Sequence, residues 1–291
     1  MRKFLSLCFA PILLIFIFSC ERDATIPPPS TERKLVLSAM LSPDEPRISV
    51  YFGWTAPIFI RNSSNNQKIP NGTVTISGPE GFKILPYIPD FDRFEINQSE
   101  FSLKPGATYL IEAKEAGGKT VRGQISFPER TATAFEVRTI DSTTITNYDG
   151  NTEKRYVFQI RFQNNDNASA LYQIFGSQIF ISQYDYYEKP DTAFSLLNSE
   201  KNSDFLQGNP GVFITTTLNN FTDYHPFGAN SSNQFVFYLF KGNEDFKEFQ
   251  QIPYSSGGDD PFSEPVTNKT NVEGGLGYMA GYLKEKIVIN K

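Results

Sequence analysis

The sequence holds very few residues of the kinds from which most catalytic and metal sites are built. Among its 291 residues there is one histidine, His225, and there are two cysteines, Cys8 and Cys20. Structural and catalytic zinc sites draw mainly on thiolate and imidazole ligands, so this composition argues against a zinc protein.

Catalysis with an imidazole base would have to use His225. The sequence contains no Gly-x-Ser-x-Gly elbow, and Pro226 directly follows the histidine. We interpret His225 as a loop histidine packed beside that proline, and we predict no enzyme activity. A hydrolase that uses His225 or a pair of carboxylates stays open as an alternative.

Runs of lysine or arginine are also absent, and acidic residues outnumber basic ones. The formal net charge is −5, and it becomes about −7 when residues 1–19 are removed. A surface of this sign repels the phosphates of nucleic acids and of anionic lipid headgroups. We therefore expect no nucleic-acid partner.

One long apolar run is present, and it stands at the N-terminus behind two basic residues. The run covers residues 4–18, fewer than the roughly 20 that a spanning helix needs, so residues 1–19 are predicted to be a signal peptide. Its end, Ile17-Phe18-Ser19-Cys20, resembles a bacterial lipobox. The resemblance implies that Cys20 becomes the first mature residue and carries diacylglyceryl and acyl groups such as palmitate. An ordinary signal peptide cut near Ser19 is the alternative.

The segment after Cys20 indicates a tether. Residues 20–33 contain three consecutive prolines and no apolar periodicity, which predicts an extended, flexible spacer. Because Cys8 leaves with the leader and Cys20 carries lipid, no internal disulfide is expected. These features predict a lipoprotein held at the outer membrane by its anchor.

Segments rich in β-branched and aromatic residues recur from residue 34, each bounded by Gly, Pro, Asn or Asp. In residues 73–77 apolar and hydroxyl side chains alternate, which is typical of a strand with one buried face. Seven such segments without a helical one predict an immunoglobulin- or fibronectin-like β-sandwich over residues 34–128. The predicted strands are 34–41, 46–53, 72–77, 82–86, 93–96, 107–113 and 119–127.

The most specific local pattern in this half is Leu103-Lys104-Pro105-Gly106-Ala107-Thr108-Tyr109. It matches the tyrosine corner of immunoglobulin-like sandwiches, in which a tyrosine hydroxyl bonds back to the preceding turn. The alternative is an unrelated turn followed by a strand tyrosine.

A second, larger β-rich domain is predicted over residues 129–291, after Pro128 ends the first. One short helix is predicted at 243–252, with Asn243 as its cap and Phe246, Phe249 and Ile252 on one face. The fold class is therefore mainly β. The predicted strands are 134–140, 155–163, 170–184, 211–218, 234–241 and 282–290.

Aromatic residues in the second domain are the candidates for a ligand or partner surface. They are denser around residue 184 than a half-buried strand requires, and aromatic side chains anchor many interfaces. Ordinary strand aromatics are the alternative. The candidates are Tyr184, Tyr186, Tyr187, Phe221, Tyr224 and Phe227.

Two oxygen-rich loops are weak calcium candidates, through Asp166 in one and Asp259 and Asp260 in the other. Neither has the spacing of an EF-hand loop, and solvated turns are the default, so no metal and no cofactor is predicted. The sequence Gly274-Gly275-Leu276-Gly277 lacks the spacing of a phosphate cradle. We interpret it as the entry into a final β-hairpin.

The C-terminal sequence carries a family resemblance. Residues 260–266, Asp-Pro-Phe-Ser-Glu-Pro-Val, and residues 271–282, Asn-Val-Glu-Gly-Gly-Leu-Gly-Tyr-Met-Ala-Gly-Tyr, resemble the closing signature of the domain-of-unknown-function 4249 lipoproteins of the Bacteroidetes outer membrane. The opening strand at Lys34-Leu35-Val36-Leu37, residues 70–76 and the corner sequence are similar to that family as well.

The resemblance implies an immunoglobulin-like domain, a larger β-rich domain and genes often placed beside TonB-dependent transporters. We expect a non-enzymatic accessory lipoprotein that faces the cell exterior and docks on such a β-barrel transporter in nutrient capture. The alternative is a surface adhesin or glycan-binding module without a transporter partner. The lipid on Cys20 is the only expected non-protein group.

Overall fold

A computed structural model describes residues 33–55, 68–131, 134–146, 150, 152–163, 171–186, 189–201, 206–207, 213–223, 231–251 and 269–290. Residues 33–291 form one compact unit, which contains all the described strands and the helix.

The described residues form seventeen strands and one α-helix, so the predicted fold class, mainly β with one short helix, is confirmed. The helix α1 is Glu244–Gln251, and a single 3-10 turn covers Pro89–Phe91. The strands are β1 (Leu35–Leu41), β2 (Arg47–Trp54), β3 (Thr73–Gly78), β4 (Gly81–Leu85), β5 (Tyr87–Ile88), β6 (Arg93–Asn97), β7 (Thr108–Lys114), β8 (Thr120–Ser126), β9 (Glu136–Thr146), β10 (Thr152–Gln163), β11 (Leu171–Tyr186), β12 (Lys189–Lys201), β13 (Leu206–Gln207), β14 (Phe213–Asp223), β15 (Ser231–Gly242), β16 (Val272–Glu273) and β17 (Met279–Asn290).

Each predicted strand has an observed counterpart. Some observed strands were not predicted, and the longest of these is β12. Its sequence contains Pro190 and many polar residues, so it lacks the apolar alternation that marks a strand. Pairing with β11 along its whole length makes it extended, which shows the tertiary environment overriding local propensity. The last strand, β17, begins at Met279, three residues earlier than predicted.

The strands assemble into three sheets. The nine-stranded sheet has the order β12-β11-β15-β17-β1-β2-β6-β5, with β13 beside β11. The five-stranded sheet has the order β16-β8-β7-β3-β4, and the three-stranded sheet has the order β14-β10-β9. All pairings between the described strands are antiparallel except that of β17 with β1, which is parallel and was not predicted.

The first core lies between β1, β2 and β6 of the nine-stranded sheet and β3, β7 and β8 of the five-stranded sheet. Alternate residues of each strand point into it, as the period of two requires. Leu37 from β1, Ile48 from β2 and Ile76 from β3 are completely buried there. This arrangement is a β-sandwich, and its core also includes Val272 and Met279 from the C-terminal part of the chain.

The second core is built largely from aromatic rings. Phe158 of β10 packs against Phe235 and Phe237 of β15, with ring centroids 5.2 and 4.8 Å apart. Phe162 packs against Tyr172 at 4.8 Å. The three-stranded sheet thus forms a second sandwich with the β11–β15 part of the nine-stranded sheet, and aromatic side chains are the majority of its buried core residues.

Helix α1 covers the opposite face of the nine-stranded sheet. Its Asn243 cap is confirmed, since the Asn243 side-chain oxygen accepts a hydrogen bond from the Phe246 N–H at 3.0 Å. Phe246 is fully buried and stacks on Tyr282 of β17, with centroids 5.5 Å apart. No helix in the described part of the chain is long and apolar enough to cross a membrane.

Both cores lie on the same face of the nine-stranded sheet. Met279 belongs to the first core and Ile289, ten residues later on β17, packs against the second. An even spacing along a strand keeps two residues on one face. Strand β17 is therefore part of both sandwiches.

The predicted tyrosine corner is confirmed. Tyr109 is completely buried, and its hydroxyl accepts a hydrogen bond from the Lys104 N–H at 2.9 Å. The same hydroxyl donates to Glu80 at 3.1 Å. The corner fixes the turn that leads into β7.

The glycine-rich segment near residue 275 is not a hairpin, so that interpretation is wrong. Residues Val272 and Glu273 pair with β8, and Leu276 bonds to β1 by accepting from the Leu37 N–H at 2.9 Å and donating to the Leu35 carbonyl at 2.8 Å. The segment thus closes one side of the first sandwich. Gly277 has a φ of +129°, and a Cβ there would overlap the Leu37 carbonyl oxygen.

Polar side chains join the turn between β1 and β2 to β17. Asp44 accepts a hydrogen bond from the Lys284 backbone N–H at 2.7 Å and pairs with Arg130. Glu45 pairs with the Lys284 ammonium and accepts a hydrogen bond from the Tyr282 hydroxyl at 3.1 Å. The division of the chain at residue 128 stays a prediction, because these contacts and β17 cross it.

We expect Gly277→Ala to destabilise the protein far more than Gly118→Ala. Both glycines have positive φ, but the space around Gly118 is open, so that variant should cost about 1 kcal/mol from backbone strain alone. At Gly277 the overlap with β1 is added, and the loss should exceed about 3 kcal/mol. Urea unfolding measures both values, and equal losses would contradict the role assigned to the close approach.

Stability should fall at alkaline pH through Tyr278 and Tyr282. Burial, aided by the neighbouring Glu248 and Glu45 carboxylates, raises the pKa of each phenol above its ordinary value. The folded state keeps these protons while the unfolded state releases them, so stability is retained below about pH 10 and declines above it.

The decline should approach about 1.4 kcal/mol per pH unit for each tyrosine. Urea unfolding of Tyr278→Phe/Tyr282→Phe, compared with wild type at neutral and alkaline pH, measures the difference between the two slopes. Identical slopes would show that these phenols do not control the alkaline loss.

Candidate functional site

Three of the six aromatic residues predicted to form a partner surface lie on described strands. Tyr184 and Tyr186 belong to β11, and Phe221 belongs to β14. The other three, Tyr187, Tyr224 and Phe227, lie outside the described residues.

Strand β11 extends past its neighbour β15. Their pairing ends where Ser182 lies opposite Ser231, whereas β12 follows β11 as far as the pair Tyr186–Lys189. Among the described strands, the last four residues of β11 therefore pair with β12 alone, over a length of about 13 Å. Tyr184 and Tyr186 lie on this part of the β11–β12 hairpin and, being two residues apart, on one of its faces.

The end of β14 lies at the same end of the second sandwich. Phe221 pairs with Tyr156 of β10, whose ring is 5.5 Å from that of Phe235. Phe235 pairs in turn with Gln178 of β11. Phe221 thus lies on the side of the second sandwich toward which β11 continues, at about the level of Gln178. We call Tyr184, Tyr186 and Phe221 the aromatic end.

The chain enters the fold at the opposite end. Leu35 lies four residues before Ala39 on β1, and Ala39 pairs with Met279, the first residue of β17. Strands β1 and β17 run parallel, and β17 continues eleven residues further to Asn290 beside the second core. The path along the sheet from Leu35 to the level of Asn290 is about 50 Å.

A cluster that sequence patterns did not reveal lies where the chain enters the fold. The Trp54 ring has the Arg33 guanidinium 5.7 Å from its centre and the Lys119 ammonium 5.4 Å from it. These residues come from β2, from the start of the fold and from the turn before β8. Their separation in sequence left no local pattern by which the cluster could have been predicted.

The residues predicted for lipidation and the weak calcium candidates are not part of the described structure. They are Cys20, Asp166, Asp259 and Asp260, and His225 lies outside it too. Within the described ranges no group of three or more His, Cys, Asp and Glu side chains is placed to hold a metal ion.

Glu95 is the most buried carboxylate among the described residues, with 6 % of its surface exposed. Burial alone would raise its pKa, but hydrogen bonds from Ser49 and Arg47, both at 2.7 Å, outweigh burial and hold the pKa below its ordinary value. Arg93 completes the group at 2.5 Å. A carboxylate that is ionised and fully engaged in this way ties β2 to β6 and is a poor general base.

Residues 21–287 match the model of a family described as a domain of unknown function, DUF4249. The chain belongs to the DUF4249 family. A comparison with curated proteins finds no match.

In this DUF4249 protein, residues 271–282 serve the architecture. The Asn271 side chain makes both hydrogen bonds of a backbone-like pair with Met279, accepting from its N–H and donating to its carbonyl, each at 2.7 Å. The Tyr278 hydroxyl donates to Glu248 of α1 at 2.7 Å. The segment that carries the family resemblance therefore holds β17 and α1 in place.

The separation of the two ends can be measured with spin labels. Protein that begins at residue 20, in which Cys20→Ser removes the remaining cysteine, is labelled at Lys34→Cys and Tyr184→Cys, and double electron–electron resonance should give more than about 45 Å. The matched pair Lys34→Cys and Lys119→Cys, within one end, should give less than about 20 Å. A short distance for the first pair would contradict the placement of the hairpin.

Proposed function

We propose that this protein is a non-enzymatic lipoprotein of the Bacteroidetes outer membrane that is anchored through Cys20 and faces the cell exterior. In this proposal it is an accessory partner of a TonB-dependent transporter in nutrient capture. The residues of the aromatic end bind the transporter or its ligand, and the end at which the chain enters the fold stays near the membrane.

The observation that carries the proposal is that the aromatic end and the end where the chain enters the fold lie at opposite ends of the sheet. Residue 33, to which the spacer and Cys20 are joined, lies about 50 Å along the sheet from the level of Asn290. A protein held by lipid at one end and carrying a projecting aromatic hairpin at the other is built to reach a partner above the membrane.

Continuity of the nine-stranded sheet supports this role. A partner surface on a flexible arm loses conformational entropy when it binds, and this loss weakens the association. A surface on a packed sheet is preorganised and avoids most of that loss. Strand β17 runs through both sandwiches, and the polar contacts of Asp44 and Glu45 brace it. The aromatic end is therefore held at a fixed distance from the anchored end of the fold.

The transporter partnership rests on the family resemblance, which implies genes placed beside TonB-dependent transporters. Tyrosines on an extended strand pair suit such a contact, because tyrosine buries a large area at a low cost in side-chain entropy. The acidic balance of the chain supports a protein partner over a nucleic acid.

Co-purification tests the proposal. An affinity tag inserted between Gly117 and Gly118, in the turn before β8, leaves the aromatic end free, and detergent extracts should then yield a large β-barrel with the tagged protein. Tyr184→Ala/Tyr186→Ala should weaken this association strongly, since each interface tyrosine of the hot-spot kind contributes about 2 kcal/mol.

The matched control is Phe82→Ala/Ile84→Ala, two exposed residues with the same alternate spacing on β4 of the first sandwich. It should leave the barrel in the eluate. Recovery of the lipoprotein alone after mild crosslinking would contradict the partnership. Glycan binding that disappears in the tyrosine variant would instead establish the adhesin alternative.

A further inference from the structure

The end of the fold where the chain enters is basic, in contrast to the molecule as a whole. Lys34, Lys114 and Lys119 are exposed there, and Arg33 is half-buried beside Trp54. Lys114 belongs to this end because it pairs with Thr120 at the start of β8. The chain as a whole has a net charge of −5.

Acidic residues at this end are fewer, and several are already paired. Asp92 binds Lys68 at 2.5 Å, and Glu273 binds Arg122 at 2.6 Å. Glu112, on β7 opposite Arg122, Glu115, in the turn between β7 and β8, and Asp90, in the 3-10 turn, are the remaining carboxylates nearby in the described part of the chain. The charged groups closest to the Trp54 ring are the cations Arg33 and Lys119, so the charge beside the ring is positive.

Trp54 is the only tryptophan of the chain, and it stands at the boundary of this basic region. It is half-buried, and Lys119 and Arg33 lie over its ring. Tryptophan prefers the level of lipid headgroups, where its ring meets apolar chains and its N–H meets water. Lysine and arginine beside it add attraction to anionic headgroups.

The spacer joins this end of the fold to the proposed anchor. Arg33 follows Cys20 by thirteen positions, and a fully extended segment of that length spans at most about 45 Å. Among the described residues, Arg33 is therefore the one nearest to the proposed anchor along the chain.

We propose that the basic end, formed by Arg33, Lys34, Trp54, Lys114 and Lys119, docks on the phosphate-bearing headgroups of anionic phospholipids in the membrane that holds the anchor. The proposal rests on the lipid anchor of the proposed function. Docking would orient the fold relative to the bilayer, because anionic headgroups attract the basic end and repel the acidic remainder of the protein surface. The aromatic end then points away from the bilayer.

The single cysteine and the single tryptophan of the mature chain make the test direct. Mature protein is coupled through Cys20 to a maleimide lipid in phosphatidylcholine vesicles, with or without phosphatidylglycerol. Trp54 emission should shift to shorter wavelength, and brominated lipid should quench it, only when phosphatidylglycerol is present. Added salt should reverse both changes, because the attraction is screened.

Lys34→Gln/Lys114→Gln removes two charges without touching the Trp54 ring. Each lysine near an anionic surface favours the docked state by about fivefold, so the variant should lower the ratio of docked to undocked protein by roughly 25-fold. Lys154→Gln/Lys286→Gln, two exposed lysines of the second sandwich, is the matched control and should behave as wild type.

Trp54 emission that is the same in both kinds of vesicle, or equal effects of the two lysine pairs, would overturn the proposal. The coupling supplies its own anchor, so this result does not depend on lipidation in the cell. Intact mass spectrometry of protein extracted from its native membrane tests the Cys20 anchor separately. Absence of acyl mass there would refute the lipid anchor on Cys20. It would leave the outcome of the vesicle experiment unaffected, so the two proposals can fail separately.

Discussion

One strand holds the molecule together. Strand β17 pairs in parallel with β1 through Met279–Gly281 and in antiparallel register with β15 from Tyr282 onward, so a single extended segment belongs to both sandwiches. The first core, the second core and the helix cluster all contain or contact its side chains. Loss of this strand would expose an edge in both sandwiches. Polar contacts of Asp44, Glu45 and Asn271 help to hold it in place.

The same strand sets the geometry on which the proposed function depends. Because hydrogen bonds continue from β5 to β12 across the nine-stranded sheet, Trp54 on β2 and the hairpin of β11 and β12 belong to one continuous sheet. A hinge between two separate sandwiches would let the hairpin of β11 and β12 swing. The shared sheet instead fixes its direction relative to Trp54, and attraction of that end to a charged surface would orient the whole body.

Local patterns in the sequence were sufficient to predict most of the strands and the helix. They were not sufficient to predict how the strands pair into sheets. Sequence patterns located thirteen of the seventeen described strands. The corner at Tyr109 and the cap at Asn243 were predicted because their partners lie within five residues. Strand β12 was missed because pairing, not composition, makes it extended. The parallel pairing of β1 with β17 and the cluster around Trp54 join residues far apart in sequence, and a single sequence carries no local trace of such contacts.

The Ser38 hydroxyl donates to the Tyr278 carbonyl at 3.1 Å across a separation of 240 residues. Contacts of such sequence separation close very large loops, so they form late and slow the acquisition of structure. A chain that is still bound to the ribosome has therefore not yet released the strand that completes either sandwich. Late closure leaves the edges of β1 and β15 open to wrong pairing until the C-terminal segment is available.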